Sequence, residues 1–236
     1  MIDPPLEASV ALADCRLLAP VTPSKVVAIG RNYAAHAAEL GNKVPKRPLI
    51  FLKAPSSVCG PGDTILVPPD SDRVEHEAEL GVVIGTRCRH VDPADFADVV
   101  AGYTIVLDVT ARDLQRSDGQ FARGKGFDTF CPIGPWMETE LDPFDVEVSC
   151  EVSGAPRQRG RTTAMIFDVP TLIATVSRVM TLHPGDVIAT GTPEGVGPLV
   201  DGDVVVATVE GIGALSCPVK DDGQVPEREP PISQAR

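Results

Sequence analysis

The sequence predicts a β-rich α+β fold, with mixed-to-antiparallel sheets and a few short helices. Three observations lead there. Short apolar runs recur with turn residues between them, and helical periodicity is confined to a few segments. The 236-residue chain carries 23 Pro and 21 Gly, which favours many turns over long helices. Strand follows strand without the regular strand–helix alternation of a doubly wound α/β fold.

Taken in order, residues 1–23 are rich in Pro and Ala and read as an N-terminal arm. Lys25–Gly30 (KVVAIG) is a short apolar strand. Asn32–Leu40 (NYAAHAAEL) is Ala-rich and helical in propensity, stopped by Gly41. Pro48–Lys53 and Thr64–Pro68 are strands joined by a loop. Val74–Gly85 (VEHEAELGVVIG) alternates and then turns continuously apolar, which predicts one strand running from an open cleft into a core. Asp95–Val100 reads as a short helix and Gly102–Val109 (GYTIVLDV) as a buried strand. Arg112–Asp128 reads as a polar, site-forming loop.

Val146–Val152 is a strand, and Gly154–Arg161 reads as a solvated hairpin tip. Asp168 caps a helix with Pro170 in its first turn, running to about Leu182. Strands follow at Asp186–Thr190, Asp203–Val209 and Ala214–Val219. One domain therefore spans 24–220, and 221–236 reads as a disordered tail with almost no apolar content.

The formal charge is −12, which argues against nucleic acid as a partner and requires a locally positive site for any anionic ligand. No apolar run approaches the ~20 residues that span a bilayer, so no membrane association is expected. The six cysteines are scattered, without CxxC pairs or zinc spacing, and no secretory segment precedes the first strand. Reduced thiols in the cytoplasm are the expectation.

The chemistry centres on acidic residues. Strand side chains alternate, so Glu77 and Glu79 share a face, Glu75 joins them if the strand is regular, and His76 points the other way. Carboxylates crowded beside LGVVIG need a cation to stay ionised, and an all-oxygen set suits Mg2+, Mn2+ or Ca2+ better than zinc. A solvated strand edge is the alternative for an ExE pattern alone. Asp108 tips the balance, because it ends the apolar run GYTIVL and makes a natural third ligand. His36 and Glu39 lie three apart on a helix, so the carboxylate can orient the imidazole as a general base, or the two form a surface pair. Lys125, flanked by glycines, can offset substrate charge or sit on the surface. Thr190–Gly197 (TGTPEGVG) is a Gly-rich turn without the lysine of a phosphate loop. It offers N–H groups or the Thr192 hydroxyl to a carboxylate.

The ordered series GRNYAAHAAELG, PLIFLK, HEAELGVVIG, GYTIVLDVTARDLQ, KGFDTFCPIGPW, MIFDVPTLIA and PGDVIATGTPEGVG, covering roughly Val26 to Val219, resembles the short, single-domain branch of the fumarylacetoacetate hydrolase family. That resemblance implies a roll of mixed sheets, a homodimer, and Mg2+ or Mn2+ held by Glu77, Glu79 and Asp108. It implies that Lys125 touches substrate, that Arg112, Gln115 and Thr192 line the pocket, and that His36 and Glu39 form a water-activating dyad on a lid helix. Leu107 departs from the family pattern, where Asn often precedes the metal aspartate. The expected function is metal-dependent C–C cleavage of a small 2-keto or enol dicarboxylic acid or acylpyruvate, by hydrolysis or by oxaloacetate decarboxylation. Isomerisation of 2-hydroxyhepta-2,4-diene-1,7-dioate or tautomerisation of oxaloacetate is the alternative. A non-catalytic acid-binding protein is a third reading, which the retained carboxylates and Lys125 argue against.

Overall fold

The computed structural model of the chain describes residues 11–224. The first ten residues of the expected arm, and residues 225–236 of the expected tail, lie outside that range. Fifteen strands are present among the described residues: β1 (Val26–Gly30), β2 (Leu49–Lys53), β3 (Val58–Cys59), β4 (Ile65–Val67), β5 (Val74–His76), β6 (Ala78–Ile84), β7 (Val100–Leu107), β8 (Thr110–Ala111), β9 (Cys131–Glu138), β10 (Glu147–Val152), β11 (Ala155–Arg161), β12 (Val187–Ala189), β13 (Gly197–Pro198), β14 (Val204–Val209) and β15 (Gly213–Asp221). Four α-helices accompany them: α1 (Ala34–Glu39), α2 (Arg112–Asp118), α3 (Ala122–Gly126) and α4 (Val169–Val179).

They assemble into a seven-stranded sheet ordered β2-β1-β12-β6-β7-β9-β3, a five-stranded sheet ordered β11-β10-β14-β15-β4, and a small sheet β13-β5-β8. Pairing is antiparallel except at β1–β12, β15–β4 and β3–β9. The β-rich α+β expectation therefore holds, with mixed sheets.

Strand alternation divides the seven-stranded sheet into two faces. Ala78, Leu80, Val82, Ile105 and Leu107 face the main core, where they meet Val148, Cys150, Val205, Ala207 and Leu215 of the five-stranded sheet. Val83, Val106, Cys131 and Ile133 face a second, smaller apolar cluster. Leu107 thus points into the main core, on the face away from Val106. Its departure from the family pattern does not bring it to the acidic residues.

Several local expectations need correction. Val74–Gly85 is not one strand: β5 and β6 belong to different sheets and break at Glu77, and β5 is buried throughout rather than open. The polar stretch Arg112–Asp128 is not a loop but carries α2 and α3, which bury Arg112 and Lys125. Gly154–Arg161 is mostly the strand β11, and it buries Gln158. The helix capped by Asp168, whose carboxylate accepts the Thr171 N–H at 3.0 Å, ends at Val179 rather than near Leu182. The tail boundary also shifts, since β15 reaches Asp221 and a 3-10 turn covers Asp222–Gln224.

Candidate active site and metal centre

The antiparallel pairing of β6 with β7 builds the acidic cluster. Glu79 pairs with Val106 and Ala78 with Leu107, and one step further the Asp108 N–H donates to the Glu77 carbonyl at 2.8 Å. Alternation then puts Glu77, Glu79 and Asp108 on the Val106 face, two along one strand and one across from it. One carboxylate oxygen from each lies within 4.8 Å of the others, and all three residues are buried. Glu75 does not join them. It turns to Arg112 Nε at 2.7 Å and Arg73 Nε at 2.6 Å.

Three buried cations thread through this cluster. Lys125 Nζ donates to Glu77 Oε2 and Asp108 Oδ2, each at 2.6 Å. Arg112 bridges Glu75 and Glu77 and donates to Gln115 Oε1 at 2.6 Å. Lys53 Nζ donates to Asp108 Oδ1 at 2.6 Å, to the Lys125 carbonyl at 2.7 Å and to the Val109 carbonyl at 3.2 Å. Glu79 alone has no cation on it, accepting one hydrogen bond, from the Gly191 N–H at 2.8 Å.

The electrostatics follow from these partners. Burial pushes the Glu77 carboxyl up, but Lys125 and Arg112 outweigh it and hold the group well below the usual carboxylate range. Burial pushes Glu79 up as well, and the neighbouring Asp108 and Glu77 charges push the same way, so it stands well above that range. Burial works against the Lys125 ammonium, yet Asp108 and Glu77 raise its pKa and keep it charged. A hard dication fits this donor set. The atoms that could hold it are all carboxylate oxygens, and one buried carboxyl, Glu79, has no cation within hydrogen-bond distance.

A cavity of about 270 Å³ opens over the cluster, at the small end for a ligand pocket. Of the nine residues singled out from the sequence, His36, Glu77, Glu79, Asp108, Arg112, Gln115, Lys125 and Thr192 line it. Glu39 stands one step behind, with Oε2 at 3.3 Å from His36 Nδ1. His36 is buried on α1, and Glu39 also accepts the Gly195 N–H at 3.0 and 3.2 Å. Thr192 spends its hydroxyl proton inward, on the Ala78 carbonyl at 2.7 Å.

Sequence reasoning missed four groups here. Lys53 ends an apolar run just as Asp108 does, and the same signal would have found it. Arg31 and Arg116 line the cavity and make no ion pair or side-chain hydrogen bond to any described residue. Gln158 gave no signal, because its strand neighbours are charged and exposed. Phe51 and Phe121, packed edge to face with centroids 5.1 Å apart, complete the wall, and Lys125 Nζ lies 5.1 Å from the Phe51 ring centre.

Residues 25–220 match the fumarylacetoacetate (FAA) hydrolase C-terminal family model. A crystal structure of 5-carboxymethyl-2-hydroxymuconate delta-isomerase from Mycobacterium smegmatis is 55% identical with a TM-score of 0.87, covering 93% of this chain and 87% of that one. Maleylpyruvate hydrolase from a Sphingobium species, solved with manganese(II) and pyruvate, is 41% identical with a TM-score of 0.79, covering 91% of this chain and 77% of that one. The mitochondrial oxaloacetate tautomerase of Rattus norvegicus is 45% identical over 210 residues, 84% of this chain and 67% of the relative. Built on the sheet register and the carboxylate cluster described above, the chain is a member of the fumarylacetoacetate hydrolase family.

Proposed function

We propose that this protein is a Mg2+- or Mn2+-dependent enzyme that cleaves a carbon–carbon bond in a small 2-keto dicarboxylic acid or acylpyruvate. The observation that carries the reading is the convergence of Glu77, Glu79 and Asp108 within 4.8 Å beside the Lys125 ammonium. These three carboxylates would hold the ion, which would supply Lewis acidity to polarise the keto acid. Lys125 offsets negative charge developing on the 2-keto oxygen. His36, oriented by Glu39, takes a proton from water, and the hydroxide attacks the distal carbonyl. The C–C bond breaks, its electron pair passes to the pyruvate carbon, and the proton on His36 returns to that carbon. Arg31 and Arg116, which make no ion pair among the described residues, receive a second carboxylate in the same cavity. Decarboxylation of oxaloacetate would use the same electron sink.

A second reading, isomerisation or tautomerisation, is favoured by the names of the Mycobacterium smegmatis and rat relatives. It needs proton transfer alone and no attacking water. A homodimer in the cytoplasm belongs to the same proposal. The scatter of the six cysteines along the chain, without CxxC pairs, supports a reducing compartment, and light scattering tests the dimer.

The deciding experiment assays oxaloacetate, acetylpyruvate, fumarylpyruvate and 2-hydroxyhepta-2,4-diene-1,7-dioate with Mg2+ and Mn2+, for the parent, Glu77→Ala and His36→Ala. Glu77→Ala is expected to abolish all turnover, and His36→Ala to abolish cleavage while sparing enolisation. Equal loss of both activities in both variants contradicts the assigned roles.

A further inference from the structure

Between β12 and β13 runs the turn Gly191–Val196, and its two ends touch the two halves of the site. At one end the Gly191 N–H holds Glu79 at 2.8 Å. At the other the Gly195 N–H holds Glu39 at 3.0 and 3.2 Å, and Glu39 in turn meets His36. This one stretch of backbone therefore spaces the metal-facing carboxylates from the His36–Glu39 pair.

Each end is pinned by a different buried amide. Asn32, fully buried, donates to the Thr190 carbonyl at 2.7 Å and to the Phe167 carbonyl at 2.9 Å, and accepts the Phe167 N–H at 2.9 Å. Gly191 has φ +101°, and a Cβ there would lie 2.6 Å from Asn32 Cβ.

Gln158 secures the other end, and all four of its hydrogen bonds are made. Its Oε1 accepts the Ala78 N–H and faces His76 Nδ1, both at 3.0 Å. Its Nε2 donates to Thr192 Oγ1 at 2.7 Å and to the Pro193 carbonyl at 2.8 Å. Backbone groups fix the amide orientation, since an N–H faces Oε1 and a carbonyl faces Nε2. The same logic puts the His76 proton on Nδ1. The backbone beside Gln158 abuts the turn directly. Gly195 has φ +95°, and a Cβ there would lie 2.0 Å from the Arg157 carbonyl oxygen. Only glycine fits, with its N–H aimed at Glu39.

We propose that Gln158 is a positioning residue for the His36–Glu39 pair: by clamping Thr192 and Pro193 it aims the Gly195 N–H that holds Glu39, while Asn32 pins the Gly191 end of the turn. The inference rests on the dyad reading above. Misplacement of about 1 Å at a reacting group costs on the order of 100-fold in rate.

The test uses the full-length Gln158→Met protein loaded with Mn2+, with His36→Ala as reference. Mn2+ affinity is read by electron paramagnetic resonance, oxaloacetate tautomerisation by ultraviolet absorbance, and acylpyruvate cleavage by kcat and KM. Gln158→Met is expected to lose about 100-fold in cleavage kcat, with Mn2+ affinity, KM and tautomerisation all within about threefold of the parent. Unchanged cleavage, or parallel loss of metal affinity and both activities, overturns the proposal. If His36→Ala itself retains cleavage, the dyad reading fails instead. A crystal structure of Gln158→Met then decides the positional claim, with a Glu39–Gly195 separation beyond 3.5 Å expected and an unchanged one contradicting it. Should circular dichroism show Gln158→Met unfolded, Gln158→Glu, which keeps the side-chain volume and the Oε1 acceptor but loses the donors to Thr192 and Pro193, takes its place under the same criteria.

Discussion

Replacing Glu79 with Gln is expected to cost the metal-free protein little stability while removing its stabilisation by Mg2+ or Mn2+. Glu75, Glu77 and Asp108 each hold a buried cation at hydrogen-bond distance, whereas Glu79 accepts only the Gly191 N–H at 2.8 Å. Gln keeps the volume and that acceptor and removes the carboxyl group whose ionised form burial and the Asp108 and Glu77 charges disfavour. Removing a buried ionisable group is strongly destabilising when it strands a partner ion, and Glu79 has none to strand. The metal-free variant should therefore lie no more than about 1 kcal/mol below the parent. The parent gains about 2.7 kcal/mol at a hundredfold excess of ion over its Kd, which for a chain of this length raises the midpoint by about 5 °C. The variant keeps two carboxylate ligands of three and should show almost none of that rise. Thermal melts followed by circular dichroism, in chelator and in millimolar Mn2+, give both quantities. A metal-free variant more than about 2 kcal/mol less stable than the parent would refute the charge argument. A midpoint that still climbs with Mn2+ would refute Glu79 as a ligand.

Lys53→Met should destabilise the protein by about 3 kcal/mol in denaturant titrations, because it strands part of the Asp108 charge and two carbonyls among buried groups; a loss under about 1 kcal/mol contradicts this. Arg116→Gln should raise KM about tenfold for dicarboxylate substrates, the worth of one partly solvated charge-assisted contact, and leave acetylpyruvate unchanged; equal effects on both place Arg116 outside the second-carboxylate subsite. Asp186 provides the pH test. Burial pushes its carboxyl up, but Lys25, Ser24 and the His183 N–H outweigh burial and lower it. A lowered folded-state pKa gives stability that is present above the unfolded value of about 3.9 and lost as pH falls through the folded one. Asp186→Asn should therefore flatten the acid limb of the stability–pH curve, and an unaltered limb would contradict the assignment.

Much of the site was legible because strand parity is a strict rule. Glu77 and Glu79 share a face, and Asp108 at the end of an apolar run could only be a buried acid with partners. The break at Glu77 was not legible. VEHEAELGVVIG contains no Pro and no Gly before position 81, so nothing local marks the point where the strand changes sheets. That switch also sends Glu75 to Arg112 instead of the acidic cluster. α2 and α3 escaped because they bury charged residues, so neither shows an apolar stripe. Gln158 was illegible for a related reason. It is one inward residue between exposed arginines, and its partners lie 34 and 80 residues away.

Manganese anomalous diffraction on crystals grown with Mn2+ and oxalate tests the heart of the mechanism most directly. A single strong peak bounded by Glu77, Glu79 and Asp108, with oxalate oxygens on its open side facing Lys125 and His36, is the expected result. A cluster that stays ion-free while oxalate occupies the cavity would contradict it.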